Sequence, residues 1–261
     1  MSSPLPKLEP GQDYHIYNRA SGNENLFREE SDYRRFLQLY SKYIDPVVQT
    51  LAWVLMPNHF HLLVRVKGDL VYKYSKEDFA QKTSKTLPDA DRFSSFDDVK
   101  WETIPRLEAS QRDIEKGSSN LRQQNKAKAP KADLNYGCFK IPDTARHIAH
   151  LCSSYTKYIN EKQGRTGNLF QRPFKRKQID NEGYLKQVVL YIHNNPVHHG
   201  FVDHPNEYYW SSYHAYTLNK KTKLHKAGVI EQFQGRSDFV KKHEVFKYNH
   251  FMDVGAWLEL G

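Results

Sequence analysis

Two short segments far apart in this 261-residue chain carry side chains suited to joint chemistry. They are His59-Phe60-His61 within MPNHFHLLVRV, and Tyr191-Ile192-His193-Asn194-Asn195 within YLKQVVLYIHNNPV. In a strand, positions i and i+2 point the same way, so His59 and His61 share one face while Phe60, Leu62 and Val64 share the other. Two neutral imidazoles on one face are free to converge on a cation. In a helix, positions four apart lie one above the other, so Gln187, Tyr191 and Asn195 form a stripe. Asn195 could add a carbonyl oxygen to the two histidine nitrogens. A mixed nitrogen and oxygen set without thiolate suits Mg²⁺ or Mn²⁺ better than structural Zn²⁺. A tyrosine hydroxyl, with its ordinary pKa of roughly 10, is a weak nucleophile. A nearby cation polarises a phosphate and offsets the charge of the transition state. The resulting phosphotyrosine keeps the bond energy, so a later hydroxyl can rejoin the strand. Each segment alone has a plainer reading: a chance His-x-His among 13 histidines, and a core tyrosine beside a helix-ending Asn-Pro.

The elements that must position these residues are visible in the patterning. Tyr14 to Ala20 alternates as a first strand. Ser31-Asp32 starts an amphipathic helix with Tyr33, Phe36, Leu37, Tyr40 and Ile44 at helical spacing, ending before Pro46. Val48 to Met56 and His59 to Val66 form two strands around the Pro57-Asn58 turn, hence a hairpin. Pro142 to Gln163 is helical, with Ile148, Leu151, Tyr155, Tyr158 and Ile159 on one face. Phe174 to Ile179 is a fourth strand, and Asn181 to Asn195 a helix ended by Pro196. An aromatic loop (Tyr208 to Tyr216) and short helices around 229–233 and 238–246 follow. The order implies an α+β class, with helices on one face of an antiparallel sheet. The expected organisation is a domain from 1–67 and 139–216, a partly flexible insertion at 68–138 that is helical in part at most, and a C-terminal helical extension at 217–261.

Charge separates these parts. The formal net charge is +9. Residues 68 to 135 hold 13 Lys/Arg and 12 Asp/Glu, leaving 26 basic and 18 acidic residues for the rest. Lys162 to Ile179 contains six basic residues and no acid. This points to a polyanionic partner. Arg172, Lys175, Arg176 and Lys177, interleaved with Phe170 and Phe174, are candidate DNA contacts, since phosphates meet cations while exposed bases stack on aromatics. The plainer reading is an edge strand guarded by lysines. Arg19 and Lys157 are further candidates for the same surface. His193, His198 and His199 lie near the proposed site, and Tyr184 is a rival nucleophile without an amide at i+4.

Cys138 and Cys152, the two cysteines, are too few for a disulfide framework or a cysteine zinc site. The N-terminus lacks a signal-peptide pattern and no apolar run approaches spanning length, so a cytoplasmic location and no membrane partner are expected.

HFHLLV matches the His-hydrophobic-His signature of single-tyrosine HUH endonucleases. With GNLFQRPFKRK, YLKQVVLYIHNNPVHHG and YYWSSYHAY, the chain resembles the REP-associated branch of the single-tyrosine transposases over roughly Tyr14 to Val66 and Ile141 to Tyr216. The insertion and most of the tail lie outside the resemblance. It implies a ferredoxin-like or RRM-like sheet, with His59, His61 and Asn195 as metal ligands. It also implies Tyr191 as the nucleophile that forms a 5′-phosphotyrosine and frees a 3′-OH. The implied substrate is single-stranded or hairpin DNA, and the assembly a monomer or homodimer. Two rivals remain: a relaxase-like or replication-initiator nickase, and a non-catalytic nucleic-acid binder. The chain has no Walker-type glycine-rich loop that would favour an initiator.

Overall fold

The computed structural model describes residues 5–68, 70–73, 100–103, 139–140, 142–218 and 221–246. Strand β1 (Asp13–Arg19) is followed by α1 (Glu30–Tyr43), β2 (Val48–Met56) and β3 (His59–Val66). Three short strands, β4 (Leu70–Lys73), β5 (Lys100–Thr103) and β6 (Phe139–Lys140), form a separate small sheet in the order β5-β4-β6. Then come α2 (Thr144–Gln163), β7 (Lys175–Ile179), α3 (Glu182–His198), α4 (Tyr213–Thr217), α5 (Lys226–Gln232) and α6 (Arg236–Glu244). The main sheet is antiparallel in the order β2-β3-β1-β7. Its βαββαβ connectivity, with the first and third strands central, is the split-βαβ ferredoxin-like arrangement.

Strand alternation sorts the sheet into two faces. Ile16, Phe60, Leu62 and Val64 join Phe36, Leu39 and Tyr40 of α1 and Ile148, Leu151 and Tyr155 of α2 in one core. Ala52, Val54, Met56 and Leu63 join Leu185, Val188, Val189 and Ile192 of α3, with Tyr213, Tyr216, Phe233 and Phe239, in a second core. The α+β class and the antiparallel sheet agree with the sequence reading. The placement of helices on one face does not: α3 to α6 cover the other face as well. The cause is legible in β2 and β3, whose side chains are apolar on both sides, as LAWVLM and HFHLLV show; a sheet with two apolar faces must bury both.

One helix boundary is also corrected. Helix α3 runs through Pro196 to His198. Pro196 lies in the last turn, where its missing N–H costs a single bond. Around it the Asn195, Pro196 and Val197 carbonyls accept from His199, Phe201 and Gly200. Gly200, at φ 70°, then turns the chain out of the helix. Within the insertion, Leu70–Lys73 and Lys100–Thr103 are strands; beyond Gly68 the rest of it lies outside the described residues, as does 247–261. The aromatic stretch 208–216 includes the start of α4, with Tyr213 and Tyr216 buried. Helices α5 and α6, within the C-terminal segment expected to be helical, contribute Val229, Phe233 and Phe239 to the second core. Among the described residues no helix is long and apolar enough to cross a membrane.

Candidate metal and nucleophile site

Cross-strand register places the candidate residues in rows on the α3 side of the sheet. Arg19 pairs with His59, and Tyr17 with His61 on one side and Lys175 on the other. His15 pairs with Leu63 and Lys177. Directly opposed residues share a face. This face therefore carries three imidazoles (His15, His59, His61) and three cations (Arg19, Lys175, Lys177). Helix α3, capped by the Asn181 side chain accepting from the Tyr184 N–H, lays Tyr191 and Asn195 over them. Both are fully buried.

The distances bring the predicted set together. His59 Nε2 lies 3.0 Å from Asn195 Oδ1. The His59 and His61 rings are 5.1 Å apart, and the Tyr191 ring stands edge-on 5.3 Å from His61. The tautomer of His59 follows from its other nitrogen. Nδ1 is 2.6 Å from Asn58 Oδ1, an oxygen that only accepts, so Nδ1 carries the proton and neutral His59 presents a bare Nε2. Two lone pairs, on His59 Nε2 and Asn195 Oδ1, thus face one another, while Asn195 Nδ2 is buried without a hydrogen-bond partner. Rotating the amide would let Nδ2 donate to His59, and whatever enters the gap selects between the two orientations. Adjacent ligands on an octahedral cation at 2.0–2.1 Å stand about 2.9 Å apart. The observed 3.0 Å fits that separation. Among the described residues no group of three or more His, Cys, Asp or Glu could hold a metal ion.

Burial keeps the imidazoles neutral. It pushes His59 down to about 4, although the Asn195 oxygen beside Nε2 favours the charged ring. It pushes His15 down to about 3, helped by the Lys177 charge, and holds His61 well below the usual histidine range. Neutral imidazoles are the form that binds metal. His59 and His61 open onto a cleft of about 650 Å³ whose walls include Arg19, Asn25, Lys175, His199 and Phe201.

The other candidates divide. Arg19 and Lys175 line the cleft, and Lys177, on the same face, sits 4.8 Å from the Tyr184 ring centroid. Tyr184 is thereby tied to the β7 edge, two turns from Tyr191. Arg176 points to the opposite face, donates to the Pro6 carbonyl and covers the Phe174 ring at 5.1 Å. Arg172 lines a separate cleft of about 360 Å³ with Cys152 and Phe174. Lys157 is exposed on α2, 3.8 Å from Glu161, beyond the other face of the sheet. His199 stands 5.2 Å from His59. His193 turns away from the cleft: its Nδ1 lies 2.9 Å from His243 Nε2 and its Nε2 2.7 Å from Ser212 Oγ. His243 Nδ1 donates to the Phe239 carbonyl at 2.7 Å. The proton order is then fixed, with His193 donating to His243 and Ser212 donating to His193. His193 is a core residue that fastens α6 to α3, not a contact for phosphate.

Sequence reasoning missed His15 and Asn58. Alternation in YHIYNRA sets His15 and Tyr17 opposite Tyr14 and Ile16, which was a usable signal. Only the register between β1 and β3 reveals that this side is also the side of His59 and His61.

No family model matches the chain, and no curated protein matches it. Among solved structures, the chain is similar in fold to a REP-associated tyrosine transposase bound to a REP hairpin, at 15% identity and a TM-score of 0.42, over 84% of this chain and 87% of that one.

Proposed function

We propose that this chain is a metal-dependent single-tyrosine DNA endonuclease and strand transferase, a transposase acting on single-stranded or hairpin DNA. One observation carries the reading. The facing lone pairs of His59 and Asn195, with His61 beside them, lie on the sheet face over which α3 suspends Tyr191. Mg²⁺ or Mn²⁺ held by His59, His61 and Asn195 would polarise the scissile phosphate, a contribution of several kcal/mol. The Tyr191 oxygen gives up its proton to water and attacks phosphorus, the P–O3′ bond breaks, and the departing oxygen takes up a proton from water as the free 3′-OH. The 5′-phosphotyrosine conserves the bond for rejoining. Arg19 and Lys175 flank the cleft and bind the backbone phosphates. Tyr191 is fully buried, so α3 lifts from β2 and β3 to admit substrate and closes again to bring Asn195 back to His59 and His61 before attack. The closed arrangement shields the nucleophile between turnovers.

The experiment uses a 5′-labelled and a 3′-labelled hairpin oligonucleotide drawn from DNA flanking the gene, with Mg²⁺ or Mn²⁺. The reading expects a denaturant-resistant protein–DNA species carrying the 3′ label alone, lost with chelator, in His59→Ala and in Tyr191→Phe. Binding without any covalent species would instead identify a non-catalytic nucleic-acid protein.

A further inference from the structure

His15 takes no part in the chemistry above, yet it is fully buried and sits against the residues that do. Its ring lies nearly parallel to His61, with centroids 5.0 Å apart and planes 25° apart, and its Nε2 is 3.0 Å from His61 Nδ1. Tyr17 lies 5.2 Å from it and 5.6 Å from His61, and Tyr191 meets it edge-on at 6.0 Å. Its remaining nitrogen, Nδ1, is buried without a hydrogen-bond partner. A polar ring placed in a core with half its hydrogen-bonding capacity unused costs stability that an aromatic hydrocarbon of similar size would not.

At 3.0 Å one of the two facing nitrogens holds the shared proton, which leaves two arrangements. If His15 donates, His61 keeps its own proton on Nε2 and turns an N–H toward the cleft, where it can hold no cation. If His61 donates, Nδ1 is its protonated nitrogen and Nε2 presents a bare lone pair to the cleft. Metal-binding histidines ordinarily donate their second ring N–H to a carboxylate, a backbone carbonyl or water, which fixes ring orientation and tautomer. Here the atom in that position is the imidazole nitrogen of His15. We propose that His15 is a positioning residue: it accepts the Nδ1 proton of His61 and so holds the His61 Nε2 lone pair toward the cleft. The inference rests on the reading of His61 as a metal ligand and adds how that ligand is set. A neutral imidazole acceptor also withdraws less proton character from His61 than a carboxylate would, which leaves a bound cation the stronger Lewis acid.

The test uses the full chain and three variants. In His15→Gln, Oε1 reaches the position of Nε2; in His15→Asn, Oδ1 stops at the level of Nδ1; in His15→Phe, the ring volume stays and the acceptor goes. Long-range ¹H–¹⁵N spectra of metal-free protein labelled in histidine report the His61 tautomer without reference to activity, and they show whether each variant is folded. The expected result is Nδ1-protonated His61 in wild type and His15→Gln, with the Nε2-protonated form gaining population in His15→Asn and His15→Phe. Titration with Mn²⁺ alone, followed by electron paramagnetic resonance, should show affinity about 10–100-fold weaker in His15→Phe and largely restored in His15→Gln. Wild-type His61 protonated at Nε2 overturns the proposal, as does Mn²⁺ binding by folded His15→Phe at wild-type affinity. Equal Mn²⁺ binding by wild type and His59→Ala overturns instead the metal reading beneath it, an outcome that a change of tautomer in His61 does not mimic.

Discussion

Moving from pH 6 to pH 5 should remove a large share of this protein's folding stability, because its core holds histidines that cannot charge where they stand. Burial pushes His15 down to about 3 and His59 and His243 down to about 4. It also holds His61 and His193 well below the usual range. In the unfolded chain each returns to roughly 6.5. The folded values lie below the unfolded ones, so the native state binds fewer protons. The stability is complete above about pH 6.5 and is lost as pH falls toward the folded values. For one such group the loss between pH 6 and pH 5 is about 1.2 kcal/mol. The three groups with values near 3 to 4 therefore lose about 4 kcal/mol together, and His61 and His193 act in the same direction. Domains are stable by only about 5–15 kcal/mol, so acid unfolding should begin above the range where carboxylates titrate. Urea titrations at fixed ionic strength and without divalent cations, at intervals from pH 7.5 to 5 and followed by tryptophan fluorescence, measure this directly. A change under about 1 kcal/mol between pH 6 and 5, less than one proton taken up, would refute the burial of this histidine cluster.

Other outcomes follow from the same geometry. Arg19→Ala and Lys175→Ala should each weaken single-strand binding and lower the salt dependence of its affinity by about 0.7 in log–log slope. Lys157→Ala and Arg176→Ala, which alter side chains pointing away from the cleft, should leave that slope unchanged; filter binding across a salt series separates the two pairs. Asn195→Ala should weaken Mn²⁺ binding by at least about tenfold, or 1.4 kcal/mol, with little loss of fold as read by circular dichroism. Phe239→Ala, far from the cleft, should cost about 3–5 kcal/mol in urea unfolding, because α6 is part of the second core rather than an appendage.

Much of the fold was legible because strand and helix periods are local properties. The β2–β3 hairpin, the two amphipathic helices α1 and α2, and the shared face of His59 and His61 needed only alternation and the Pro57-Asn58 turn. What escaped were consequences of packing between distant segments. The second apolar face of β2 and β3 is visible in LAWVLM, yet its occupants, α3 and the helices after it, follow more than 100 residues later. His15 was invisible as a partner of His61 because strand register is fixed by the assembled sheet. Arg176 was grouped with Lys175 and Lys177 by charge, although alternation already required the middle residue of the three to face the other way. His193 looked like a cleft residue by proximity in sequence, while two helical positions turn it about 200° away from both Tyr191 and Asn195.

In the proposed reaction Tyr191, and no other tyrosine, becomes bonded to a DNA phosphate at the His59, His61 and Asn195 site. The direct measurement is peptide mass spectrometry of the covalent species trapped on a nicked hairpin in Mn²⁺, after nuclease trimming and proteolysis. The expected result is a deoxynucleotide mass on the peptide fragment that contains Tyr191, localised to that residue and missing from His59→Ala. A nucleotide localised to Tyr184, or an adduct that persists undiminished in Tyr191→Phe, would contradict it.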